Sequence, residues 1–303
     1  METMRASLWH AAWRFWNRRS TRISVPECVH LRNFWHRLRP HEDGVLLDGS
    51  RCCIGTCLDR ALHRKLDRMV AVPRRTIARH RVPLGLLLLS RQHLTIEQLR
   101  MALAAQHNAR RGRIGEWIES LGFADEQQIT AALARQWACP VLRTNSFSAP
   151  PLAQYTQQIP LALLEKFAML PVNFSAATST LHIAFAEAVD HSVLYAIEQM
   201  TGCRTEACMA VPSFVRAQLE ALARDGLKGD LTFERIADNA EISRIVRSYC
   251  SRTGASEIRV VACPPYLWVC LLRAGSRFLD LLVRMPANSL SPGFLSSELH
   301  PDS

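Results

Sequence analysis

The chain has 303 residues, of which 48% are hydrophobic and 21% charged, a composition typical of globular proteins and a length that fits two or three domains. No apolar run approaches the roughly 20 residues that span a bilayer, and no secretory signal opens the chain. With ten cysteines and no secretory context, we expect reduced thiols and a cytoplasmic protein.

The net charge of +10 is unevenly spread. Residues 1–113 carry 22 Arg and Lys against 8 Asp and Glu, whereas residues 114–303 carry 15 against 19. The basic first third favours an anionic partner such as nucleic acid, lipid headgroups or a phosphorylated ligand. A solvated arginine-rich surface explains the same asymmetry, and the composition does not separate the two interpretations.

Residues 1–25 are predicted to be a basic, Trp-rich amphipathic helix or a disordered tail. Trp9, Trp13 and Trp16 recur at helical spacing among arginines, a pattern that suits a membrane surface or a partner groove.

Residues 26–72 contain cysteines whose spacing resembles that of a small zinc knuckle. Cys53 and Cys57 are separated by three residues and are followed by a predicted helix, and zinc takes four ligands, usually thiolates and imidazoles. The second pair would be Cys28 with His30 or His36, or Cys52 would substitute. We predict Cys28, His30, Cys53 and Cys57 as ligands, with a metal-free remnant as the alternative.

A 24-residue unit occurs twice, at 83–106 and 113–136, with seven identical positions. Each copy has a glycine, an apolar run, a capping box and an amphipathic helix that ends in glutamine. The capping boxes are Thr95 with Gln98 and Asp125 with Gln128. Helical units this small bury their apolar faces against each other, so residues 80–145 are predicted to form a helical tandem-repeat subdomain.

The rest of the chain alternates between strand and helix patterns. We predict an α+β subdomain over 146–226, a helix followed by an antiparallel meander over 238–285, and a disordered tail over 286–303. The predicted fold class is therefore α+β, with the helical repeats first.

These motifs together resemble the N-terminal region of type II secretion and type IV pilus assembly ATPases, over about residues 80–285. In particular they resemble the subtype first recognised in the MSHA pilus ATPase, in which two tandem copies bind cyclic di-GMP. This resemblance implies a cyclic di-GMP site. The residues that it implies as ligand contacts are Arg113, Ile114, Gly115, Gly122, Gln136, Leu84, Gly85 and Gln106. It also implies secretion or pilus proteins as partners.

The departures from the family pattern lie in both copies and after residue 250, and in the second copy Glu119 and Ala124 replace apolar residues. Pro83 stands where the family has arginine and Gln92 where it has glycine, and Arg81, two residues upstream, is a candidate to replace the missing cation. The sequence contains no Gly-x-x-x-x-Gly-Lys-Ser/Thr phosphate loop, and no other catalytic set is evident. We therefore predict a non-enzymatic regulator or scaffold that binds cyclic di-GMP. The alternatives are a nucleic-acid-associated regulator that uses the basic first third, and an adaptor without a ligand.

Overall fold

A computed structural model describes residues 44–53, 55–71, 81–143, 158–224 and 230–286. The nine helices within these ranges are α1 (Thr56–Ala71), α2 (Leu84–Ser90), α3 (Ile96–Ala109), α4 (Ile114–Ser120), α5 (Glu126–Trp137), α6 (Leu161–Lys166), α7 (His191–Thr201), α8 (Pro212–Arg224) and α9 (Asn239–Thr253). The strands there are β1 (Gly44–Leu47), β2 (Ser50–Cys53), β3 (Met169–Ser175), β4 (Thr180–Phe185), β5 (Arg204–Met209), β6 (Asp230–Phe233), β7 (Glu257–Cys263), β8 (Tyr266–Arg273) and β9 (Ser276–Arg284). The predicted α+β class is confirmed.

The described residues divide into two units. The repeat unit comprises 81–143, 158–194 and 203–224, and the sheet unit comprises 44–53, 55–71, 195–202 and 230–286. None of the helices in the described ranges is both long enough and apolar enough to cross a membrane. The N-terminal segment, Cys28, His30 and the C-terminal tail from residue 287 lie outside the described ranges.

Four short helices form the first part of the repeat unit. Helix α2 packs on α5 and α3 packs on α4, so each helix packs mainly on a helix of the other copy. Both predicted capping boxes are present, at Thr95 and Asp125. The shared core contains Leu84, Leu88, Leu94, Ala102, Ile118, Ala124, Ile129 and Ala132. The apolar face of each copy is therefore buried against the other copy, as the repeat predicted.

The second part of the repeat unit is a three-stranded sheet in the order β3-β4-β5. Strand β4 runs antiparallel to β3 and parallel to β5, and α7 makes the crossover between the two parallel strands. The connector after α5 pairs with this sheet, because the Leu142 amide donates to the Met209 carbonyl and the Met209 amide donates to that of Pro140. The repeat helices and the α+β layer therefore form one unit.

The sheet unit is built from two distant parts of the chain. Its six strands are ordered β2-β1-β7-β8-β9-β6, and β1 runs parallel to β7 through the pairs Leu46↔Glu257 and Leu47↔Ile258. The predicted meander over 238–285 is present as β7, β8 and β9. The described part of the predicted separate module at 26–72, however, adds a hairpin and a helix to this same sheet. The boundary drawn there differs from the structure, because the apolar side of α1 is buried in the core of this sheet.

Most of the described cysteines are buried and pack as small apolar side chains. Cys250 and Cys270 are buried, as predicted, and burial raises the pKa of the Cys250 thiol to about 11. Cys57 is buried in α1 and Cys53 is half-buried at the end of β2. Within the described ranges no group of three or more His, Cys, Asp or Glu side chains is arranged to hold a metal ion. The zinc site stays a prediction, since two of its four ligands lie outside those ranges.

Candidate ligand-binding site

The two glycines of the repeat, Gly85 and Gly115, allow the helices to pack closely. A Cβ on Gly85 would lie 2.6 Å from Leu99 Cδ1, and one on Gly115 would lie 3.3 Å from Leu84 Cδ2. Both residues sit in the first turn of their helices, α2 and α4, and Leu84 is itself buried in the shared core. These positions therefore serve helix packing, and both lie near the first residue of their copy of the repeat.

Gly122 serves a turn. The first helix of each copy ends in the same motif, in which a residue with positive φ follows the helix: Gln92 at 61° and Gly122 at 70°. In both copies two amides after the helix donate back to its last carbonyls, including Phe123 to Ile118 and His93 to Leu88. This is the Schellman arrangement, which favours glycine. The first copy keeps the same turn with Gln92, whose side chain makes the left-handed backbone conformation less favourable than it is for glycine.

The two terminal glutamines bind across the repeat. Gln106 Nε2 donates to the Gly112 carbonyl at 3.0 Å, and Gln136 Nε2 donates to the Val82 carbonyl at 2.9 Å. Donors and acceptors are both offset by 30 residues, so the two bonds are equivalent. Each glutamine thus binds the carbonyl that lies just before the first residue of the other copy. The sequence alone grouped Gln136 with Arg113, whereas the structure places Gln106 beside Arg113.

These bonds define two half-sites, each drawn from both copies. Half-site A contains Gln106, Gly112, Arg113 and Ile114, with Leu103 one turn before Gln106 on α3. The Leu103 side chain is 47% exposed, and Ile114 is half-buried. Arg113 precedes α4 as its N-cap residue. Half-site A therefore offers a guanidinium and an uncovered apolar surface.

Half-site B contains Val82, Pro83, Gln136 and Trp137, and its cation comes from Arg81. The Arg81 guanidinium carbon lies 3.3 Å from the centroid of the Trp137 ring, a cation–π contact. His191 lies on the same indole, with ring centroids 6.3 Å apart and planes tilted by 57°. A charged group is therefore present at this half-site although Pro83 replaces the family's arginine.

Arg113 has an internal partner that sequence reasoning missed. Its guanidinium forms an ion pair with the Glu187 carboxylate, which follows β4. The two side chains are 61% and 46% exposed, so the pair is worth little to stability. No local pattern links residues 74 positions apart, and only the packing of the repeat helices beside the α+β layer brings them together.

A second tie joins the same two parts of the repeat unit. The Glu126 carboxylate, in the first turn of α5, accepts hydrogen bonds from the Ser213 amide and hydroxyl at the start of α8. These two side-chain ties add to the backbone pairing of the connector after α5 with β5, and one of them involves the cation of half-site A.

Comparison with known proteins identifies the class of this unit. Residues 137–229 match the model of the MshEN domain, a range that includes the α+β layer and begins after both copies of the repeat. This match confirms the predicted resemblance to the N-terminal domain of secretion and pilus ATPases.

Two solved structures illustrate the similarity. "Structure of MshE with cdg" is 27% identical and covers 46% of this chain and 99% of its own, with a TM-score of 0.39. The N-terminal domain of XpsE is 20% identical and covers 44% of this chain and 88% of its own, with a TM-score of 0.34. None of the curated proteins matches the chain.

Proposed function

We propose that the repeat unit is a receptor module for cyclic di-GMP, within a non-catalytic cytoplasmic protein that regulates or scaffolds a secretion or pilus machine. The observation that carries this proposal is the pair of equivalent glutamine–carbonyl bonds, because they build two like half-sites from one duplicated unit. Cyclic di-GMP consists of two identical guanylate halves, so a duplicated site matches its symmetry.

The chemistry of half-site A supports the same ligand. A guanidinium pairs with a phosphate through two parallel hydrogen bonds or stacks on a base, and Arg113 is exposed enough to reach either. The exposed face of Leu103 gives a base an apolar surface to cover. In half-site B, Arg81 and Trp137 supply a cation and an aromatic plane. Secretion or pilus proteins are the partners that the MshEN match supports.

Isothermal titration of the full chain with cyclic di-GMP tests the proposal. We expect saturable heat with a Kd below about 100 μM, an order-of-magnitude limit for a useful receptor. GMP is the matched control, since it carries one guanylate half and cannot engage two half-sites together. Absence of heat at that concentration would leave the repeat as a packed helical bundle without a ligand and would overturn the proposal.

Glu187→Gln is expected to strengthen cyclic di-GMP binding by about two- to fivefold. The ligand phosphate and the Glu187 carboxylate compete for the Arg113 guanidinium, and an exposed ion pair is worth up to about 1 kcal/mol. Titration of the variant measures the change. Glu119→Gln, which removes an exposed carboxylate of α4, is the control and should leave the affinity within about twofold. Weaker binding by Glu187→Gln would instead make Glu187 a ligand contact.

A further inference from the structure

Two helices of the sheet unit lie side by side with opposite directions. The Asp59 carboxylate contacts Arg247 Nη1 at 2.7 Å, and one turn later the His63 ring contacts Ser243 Oγ at 3.2 Å. Position advances along α1 as it recedes along α9, so the helices are antiparallel. Both helices bury their apolar sides in the same core of the sheet unit, which leaves their opposite sides to solvent.

Helices α1 and α9 form one layer, and its charged side chains differ between the side that faces the core and the side that faces solvent. The acidic side chains that lie inward have internal contacts: Asp59 with Arg247, and Glu241 with the Ala237 amide. Lys65 likewise pairs with Asp48 of the β1–β2 turn. Among the exposed side chains described on the two helices, the charged ones are five arginines and one aspartate: Arg60, Arg64, Arg68, Arg244, Arg252 and Asp67. We call these five arginines the arginine face.

The other exposed positions on these helices are Ala240, Ser248 and Ser251. Among the described side chains, the outer side of the layer therefore presents nothing apolar larger than alanine. A protein interface has an apolar or aromatic centre, and a membrane-bound helix inserts large apolar side chains. Neither feature is present among the exposed side chains of the arginine face, since Tyr249, whose ring centroid lies 5.7 Å from the Arg252 guanidinium carbon, is half-buried against the core. Arginine and serine side chains are, in contrast, common donors to the phosphate oxygens of nucleic acids.

The spacing of the arginines also suits phosphates. Arg60, Arg64 and Arg68 recur every four residues, which is about 6 Å along a helix, and each DNA strand presents one phosphate per about 3.4 Å of duplex. Successive guanidiniums can therefore meet different phosphates. We infer that the arginine face binds the phosphate backbone of a nucleic acid without reading its sequence. This inference is independent of cyclic di-GMP binding, because it uses residues of the other unit.

The test is fluorescence anisotropy of a short labelled DNA duplex titrated with the full chain, at about 50 mM and about 200 mM salt. The variant Arg60→Ala/Arg64→Ala/Arg244→Ala is expected to bind at least about tenfold more weakly at low salt. Its salt slope, log K against log[salt], should shrink by about three units, since each neutralised phosphate contributes about 0.9. The control Arg91→Ala/Arg100→Ala/Arg216→Ala removes the same charge from exposed positions of the repeat unit and should change the affinity by less than about threefold.

Three results would overturn the inference. The full chain could fail to retain the duplex even at low salt, or the two triple variants could weaken binding equally, which would make total charge responsible. The third is that the arginine-face variant loses binding to phosphatidylserine vesicles while duplex binding is unchanged, which would assign the face to membranes. Circular dichroism melting of both variants shows whether each keeps its fold.

Discussion

Arg113→Ala is expected to weaken cyclic di-GMP binding by about one to two orders of magnitude. A charge-assisted hydrogen bond is worth about 1.5–3 kcal/mol, and each 1.4 kcal/mol is a tenfold change in Kd. Arg110 and Arg111 also lie close to Gly112 in the chain, but neither holds the N-cap position of α4 that Arg113 occupies. Titration calorimetry of the full chain measures the loss.

Two further variants separate the role of Arg113 from a general loss of charge. Arg113→Lys keeps the charge and loses the planar fork, so it should recover only part of the affinity. Arg91→Ala removes an exposed arginine of the same helical bundle and should bind like the native chain. The fold should survive in Arg113→Ala, because its ion pair with Glu187 is exposed at both ends. An unchanged affinity in this variant would move the ligand away from half-site A.

The helices of the repeat were predictable because their signals are local. Thr95 and Asp125 each stand three residues before a glutamine, and this spacing alone specifies both capping boxes. The strands of the α+β layer and the meander were predictable for the same reason, since each is a short apolar run within a single segment.

The contact of each terminal glutamine with the start of the other copy was not predictable from one copy of the repeat. A helix of seven residues cannot bury its apolar side alone, and the sequence does not say whether its partner comes from its own copy or from the other. The structure pairs α3 with α4 and α2 with α5. Gln106 therefore reaches Gly112, and Gln136 reaches Val82. The residues predicted for the site are thus divided differently between its halves.

The contacts between residues far apart in the chain could not be predicted from the sequence either. The pairing of Leu46 with Glu257 joins strands more than 200 residues apart, and β1 is only four residues long, so its pattern is too short to indicate a partner. Glu187 reaches Arg113 across 74 residues in the same way. Such pairs follow from the packing of whole elements, which periodicity within one segment does not encode.

Asp280→Ala is expected to lower the free energy of unfolding of the sheet unit by about 3 kcal/mol. Asp280 is 2% exposed and accepts a hydrogen bond from Trp268 Nε1 at 2.6 Å, and it pairs with Arg277. Removal of the carboxylate leaves the buried indole N–H without its acceptor and takes away the nearer of the two carboxylates that the Arg277 guanidinium contacts, which is the costly way to break such a pair. Urea unfolding followed by circular dichroism measures the change, and Asp67→Ala, at an exposed position on α1, should stay within about 0.5 kcal/mol.

The pH dependence of the same residue distinguishes charge from hydrogen bonding. Burial raises the pKa of Asp280 above its ordinary value, although Arg277 and Trp268 both act to lower it. A raised pKa in the folded state means that the fold binds the proton more tightly than the unfolded chain does. The stability of the native protein relative to Asp280→Asn should therefore fall as pH rises from about 4 through the raised pKa. The amide keeps an acceptor for Trp268 and carries no charge, so a difference in stability that does not change with pH would contradict a raised pKa of Asp280.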